Sequence, residues 1–278
     1  MPVTSRPSNP IPPAWLAALL LAACASTQEP AAPARAEVAD GHYLSPQELP
    51  NSRALLPPPP APGTPAFAND EAVHAQAMKF KDGPRWTLAS RDAETRAPEG
   101  FGAFSCALGL RIDASDTPHL LRLLERTTED AGRSTSAAKR HYQRPRPFMV
   151  HDEPTCAPAQ ETGLRRNGSY PSGHTAFGWS AALVLAEVAP ERADALLARG
   201  LAFGESRLVC NAHWQSDILA GRTMAAATVA RLHAAPAFRE DLRLAAREVA
   251  AARGRGLAPD RDCEGEAAAL AQPIPGVL

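Results

Sequence analysis

Three short segments of this chain carry side chains whose types and spacing could bind an anion and attack it. Lys139 stands seven residues before Arg146-Pro147; Pro171-Ser172-Gly173-His174 follows; Ser206-Arg207 precedes His213, which lies four residues before Asp217. A phosphoryl group in transfer spreads negative charge over three equatorial oxygens, so a site working without a metal needs several fixed cations and N–H donors. Lys139, Arg146 and Arg207 are the candidate cations. Ser172 and Gly173 immediately precede an apolar run; free N–H groups at a helix start would favour an anion there, and glycine lets the backbone approach it. If the stretch after Asn211 is helical, His213 and Asp217 share one face, so the carboxylate holds Nδ1–H and leaves Nε2 free as a nucleophile. His174, delivered from the opposite wall, is the candidate acid for the leaving alkoxide.

The elements that must position these residues are helical. Aromatics make up only 5% of the chain, alanine is plentiful and β-branched residues seldom cluster, so the expected class is all-α. Thr117-Pro118 marks a helix start with Thr as N-cap and Pro at the first helical position, followed by Leu120, Leu121, Leu123 and Leu124 on an apolar stripe. Residues 177–188 are apolar nearly all round, which predicts the central helix of a bundle. Pro190 opens another helix, and 218–232 and 238–249 give two more.

Singly, each segment has a plainer meaning: a solvated basic face, a turn, a structural histidine. Together their eleven fixed positions, in order, resemble the signature of the type 2 phosphatidic acid phosphatase superfamily, which includes the vanadium haloperoxidases. The flanking text is similar to the class A bacterial nonspecific acid phosphatases. It includes His141-Tyr142, Arg144, Phe148, Asn167-Gly168-Ser169-Tyr170 and Cys210 with Trp214-Gln215-Ser216, besides the lead from Leu55 to Pro60 and Glu129-Asp130-Ala131-Gly132. The likeness spans roughly 45–245, with departures at Pro145, Asn211 and Ala212. It implies the helical bundle of that superfamily and a phosphomonoester hydrolase of broad specificity. His213 would be the nucleophile, Asp217 its orienting group and His174 the acid, with phosphate held by Lys139, Arg146, Ser172, Gly173 and Arg207 and no cofactor or metal. The rivals are a vanadate-dependent haloperoxidase, a lipid-phosphate phosphatase and a non-enzymatic phosphate-binding envelope lipoprotein. Intact His174, His213 and Asp217 argue against the last, since binding alone needs only the cations.

Composition narrows the setting. Lys plus Arg number 29 against 30 Asp plus Glu, a formal net charge of −1, which offers no basic field for nucleic acid. No apolar run reaches the roughly 18 residues of a membrane span. Residues 14–23 form a ten-residue apolar run ending in Leu21-Ala22-Ala23-Cys24, which resembles a bacterial lipobox. The expected organisation is therefore a lipoprotein-type signal (1–23), a Pro/Ala-rich extended tether (24–65, with ten prolines), a helical phosphatase domain (66–252) and an irregular tail (253–278). Lipidation at Cys24 would make the membrane a partner and the protein an exported, periplasmic or outer-membrane-anchored one. Oligomeric state stays open. Cys106, Cys156, Cys210 and Cys263 remain after processing; an exported chain with four cysteines favours two disulfides, in any of three pairings. His42, His74, His119, His151 and His233 have no partners at ligand spacing and read as surface or structural residues. Asp113, Asp116, Glu129 and Asp130 read as helix caps or solvated groups.

Overall fold

The apolar run after His174 becomes helix α5 (Gly173–Val188), the middle of a bundle in a computed structural model that describes residues 1–3 and 41–277. Ahead of it come α1 (Pro65–Ala77), α2 (Pro84–Arg91), α3 (Pro118–Ser134) and α4 (Ser136–Tyr142). After it come α6 (Ala193–Val209), α7 (Gln215–Leu232), α8 (Pro236–Gly254) and α9 (Cys263–Leu270). No strand occurs among the described residues, and none of their helices is long and apolar enough to cross a membrane. The fold is all-α. Helix α5 packs against α3, α6 and α7, and its Phe177, Val184, Leu185 and Val188 join Leu120, Leu123, Leu124, Phe203 and Phe238 in the main core. Each such side chain, fully buried, contributes about 1.5–3 kcal/mol of transfer free energy.

Two glycines let the helices approach. A Cβ at Gly178 would sit 2.3 Å from the Phe203 ring, and one at Gly221 would sit 2.6 Å from the Ser172 carbonyl oxygen. The second contact matters more here, because it draws α7 against the turn that begins α5.

Several boundaries differ from the sequence expectation, each for a tertiary reason. Helix α3 does start at Pro118, but the Thr117 hydroxyl is spent on the Asp113 backbone. Its free N–H groups at His119 and Leu120 donate instead to the Glu248 carboxylate on α8, at 3.1 and 2.8 Å. The tether expected over 24–65 is partly domain. Tyr43 and Leu44 are buried, their amides donating to Asp130, while Leu56 is buried beside Tyr170, whose hydroxyl donates to the Pro57 carbonyl at 2.8 Å. The tail expected to be irregular holds α9, anchored by a Cys106–Cys263 disulfide; the second disulfide joins Cys156 to Cys210. Cys24, with residues 4–23 of the expected signal and the first part of the tether to residue 40, lies outside the described residues.

Candidate active site

The segment carrying His213 leaves α6 at Val209 and enters α7 at Gln215, with Trp214 as N-cap. His213 therefore precedes the helix and does not share a helical face with Asp217, as the spacing suggested. Asp217 occupies the third position of α7, where a carboxylate reaches back over the open N-terminus. Its Oδ2 accepts from the Trp214 amide at 2.9 Å and lies 3.3 Å from Nδ1 of His213. The capping carboxylate thus brings the two residues together by another route. Arg146 settles the imidazole tautomer: its Nη1 lies 2.9 Å from His213 Nε2, and a guanidinium can only donate. Nε2 must carry the lone pair, and Nδ1–H faces Asp217.

Around that nitrogen the three cations converge. Lys139, at the end of α4, donates from Nζ to the Gly168 carbonyl at 2.8 Å. Arg146, just before the short Pro147–Val150 helix, is spread over the carbonyls of Leu164, Asn167 and Ala212. Arg207, in the last turn of α6, is fully buried, and none of its three guanidinium nitrogens has a hydrogen-bond partner. Leaving so many buried donors unpaired is costly unless an anion takes them. Burial pushes the Lys139 ammonium down to about 7, with Arg146 adding repulsion and Asp217 opposing it. Arg146 falls to about 10 through burial, and Arg207 to about 9 through burial and then Arg146. An electropositive hole of this kind is built to receive negative charge.

Ser172 N-caps α5, its Oγ accepting from the Thr175 amide at 3.1 Å, while its own amide donates to the Asp217 carbonyl. Gly173 begins the helix with only the Lys139 and Thr135 side chains close to where a Cβ would stand. The next residue, His174, presents Nε2 to the Ala93 carbonyl at 3.1 Å, so that nitrogen carries the proton in the neutral ring and Nδ1 is left for other work. Burial first, then Arg207 and His213, hold the His174 imidazole well below its ordinary value; burial, then Arg146, Lys139 and Arg207, do the same to His213. His174, Gly173 and Phe177 form one wall of a cavity of about 570 Å³, whose rim includes Arg96, Glu125 and Glu129.

All eight residues picked out from the sequence as catalytic or phosphate-binding thus gather at the joint of α4, α5, α6 and α7. Ser206 does not face this hole: it hydrogen-bonds Arg85 and Asp92. Two supporting residues are new or reassigned. Arg144, which accompanies the first motif, bridges two buried carboxylates, Asp217 and Asp70, at 2.7 Å each. Asp70 in turn accepts from the amide and hydroxyl of Ser216. Nothing in the local sequence of α1 announces that role. His141 is exposed, with its ring edge-on to Tyr142, and Trp214 is core, donating to the Pro145 carbonyl.

A buried cationic hole, an imidazole held by a capping carboxylate and a second imidazole on the wall define a phosphoryl-handling helical enzyme. Residues 130–241 match the family model of the PAP2 superfamily. The chain is 44% identical over 201 residues to a non-specific acid phosphatase of Salmonella typhimurium, covering 72% of this chain and 80% of that one. It is 41% identical over 205 residues to an acid phosphatase of Zymomonas mobilis (74% and 78%), and 43% identical over 212 residues to a non-specific acid phosphatase of Providencia stuartii (76% and 86%). The chain belongs to the PAP2 superfamily, among its bacterial acid phosphatases, and acts on phosphomonoesters.

Proposed function

We propose that the chain hydrolyses phosphomonoesters of varied structure in two steps, through a phosphohistidine and without a metal. In the first, the Nε2 lone pair of His213 bonds to phosphorus as the ester P–O bond breaks. Lys139, Arg146, Arg207 and the amide of Gly173 take the charge of the three equatorial oxygens. The leaving alkoxide takes a proton from Nδ1 of the imidazolium form of His174, since Nε2–H is committed to Ala93; a phosphate dianion bound among the cations offsets the burial and the Arg207 repulsion that otherwise disfavour that form. In the second, water attacks the phosphohistidine, His174 accepts its proton, and inorganic phosphate leaves. The observation that carries the reading is Arg207, a fully buried guanidinium with no partner, set against a His213 whose lone pair already points into the same cluster. Three fixed cations supply the charge that a metal would otherwise supply. Chelator-stripped protein should therefore release phosphate from p-nitrophenyl phosphate at its untreated rate and be inhibited competitively by vanadate. Loss of activity restored by one added divalent ion overturns the metal-free route.

We also propose that the chain is exported and lipidated at Cys24. Its lipobox-like context supports this, as do two disulfides, which persist in oxidising compartments. The mass of the mature N-terminal peptide decides the matter: diacylglyceryl-Cys24 is expected, and an unmodified N-terminus elsewhere refutes it.

A further inference from the structure

Away from the reaction centre, on the outer side of the segment that carries His213, two histidines and a glutamate meet. Glu71 and His74 lie three residues apart on α1, and His151 ends the short Pro147–Val150 helix. One donor atom from each lies within 4.8 Å of the other two. His151 Nε2 is 3.0 Å from Glu71 Oε2, and the two imidazoles lie parallel with centroids 4.4 Å apart. Their 77-residue separation in sequence explains why neither histidine showed a partner there.

The protonation of His74 is set by its surroundings. Asn211 Nδ2 faces the carbonyls of Glu153 and Pro154, so its Oδ1 must be the acceptor that lies 2.9 Å from His74 Nε2. Nε2 of His74 is therefore the donor, and its lone pair resides on Nδ1. A histidine that donates one ring N–H to a fixed oxygen and keeps the other nitrogen bare is oriented as metal-ligating histidines are. His74 is buried, whereas Glu71 and His151 are about one-third exposed, so the cluster is anchored at its base and open to water on one side.

We propose that Glu71, His74 and His151 form a binding site for one divalent transition-metal ion. Two imidazoles and a carboxylate suit borderline ions such as Zn²⁺, whereas Ca²⁺ and Mg²⁺ prefer oxygen donors throughout, and water would complete the coordination. The site is separate from the anion hole, with the Trp214 ring lying 5.8 Å from that of His74 and 5.9 Å from that of His151. Its occupant would brace α1 against the segment bearing His213 and stabilise the folded chain by mass action.

The test is a Zn²⁺ titration of the metal-stripped mature chain against a chromogenic chelator, with no substrate present, so that its outcome is independent of the phosphatase mechanism. One equivalent should bind with micromolar affinity or better. Glu71→Gln and His151→Ala, both at partly exposed positions, should each weaken it roughly tenfold or more. The same additions should raise Tm of the unaltered chain and leave the Tm of the double variant unmoved. Failure of one equivalent to bind at about 100 µM Zn²⁺, or binding that both variants retain at full affinity with unchanged circular dichroism, overturns the proposal.

Discussion

Arg144 Nη1 donates to Asp217 Oδ1 at 2.7 Å, in a contact where both side chains are almost wholly excluded from solvent. The carboxylate that faces His213 is thereby held from behind, and Asp70 balances the other arm of the guanidinium. Since Arg144 reaches the reaction only through Asp217, it is a positioning residue. Arg144→Ala should lower kcat far more than it raises KM, while vanadate still binds. Breaking a buried pair from one side also costs about 3–5 kcal/mol, so Tm should fall. Arg144→Lys, which restores charge but not the two-armed bridge, should recover Tm better than kcat. Steady-state kinetics beside thermal denaturation checks this; a variant that loses stability but keeps full kcat contradicts the positioning role.

The depressed Lys139 makes anion binding depend on pH. With its value near 7, the ammonium is present below about pH 7 and is lost as pH rises through it. A bound dianion favours the charged form, so binding above that value takes up a proton. Sulfate, which stays a dianion throughout, should bind more weakly from about pH 7 toward 9, by up to about tenfold per pH unit. Lys139→Gln should weaken sulfate binding overall and flatten that slope. Calorimetry in buffers of different ionisation enthalpy measures the proton uptake directly; a pH-independent Kd with no uptake contradicts it.

His174 should show its role through the leaving group. Losing a general acid typically costs about 10²–10⁴-fold, least where the departing group is already a stable anion. His174→Ala should be severely slowed on alkyl phosphates and only mildly on p-nitrophenyl phosphate, as a kcat/KM series across leaving groups would reveal. Equal losses across the series contradict the assignment.

Much of this architecture was legible because it depends on local pattern. The all-round apolar run from Phe177 foretold a buried central helix, and Ser172-Gly173 marks its start. The eight candidate site residues stand in short, ordered motifs, and the structure brings them to one place. What stayed hidden depends on partners distant in sequence. Tyr43 looked like part of a tether until Asp130 and Asp241 supplied its hydrogen bonds, and Glu248, more than a hundred residues away, caps α3 in place of Thr117. Asp70 and Glu71 are adjacent ordinary acids on α1, yet one is the buried counter-ion of Arg144 and the other meets His151. Four residues of spacing between His213 and Asp217 suggested a helical face, whereas the contact comes from a capping carboxylate reaching back over the first turn of α7.

The most direct test of the mechanism is to trap the covalent intermediate. Enzyme mixed with ³²P-labelled substrate, quenched within a turnover under conditions that preserve phosphohistidine, and digested for peptide mapping should carry label on the peptide containing His213. His213→Ala should carry none and turn over no ester, and His174→Ala should accumulate more label than the unaltered enzyme, because hydrolysis of the intermediate loses its base. Label on His174, or turnover without label on His213, would contradict the assignment of His213 as the nucleophile.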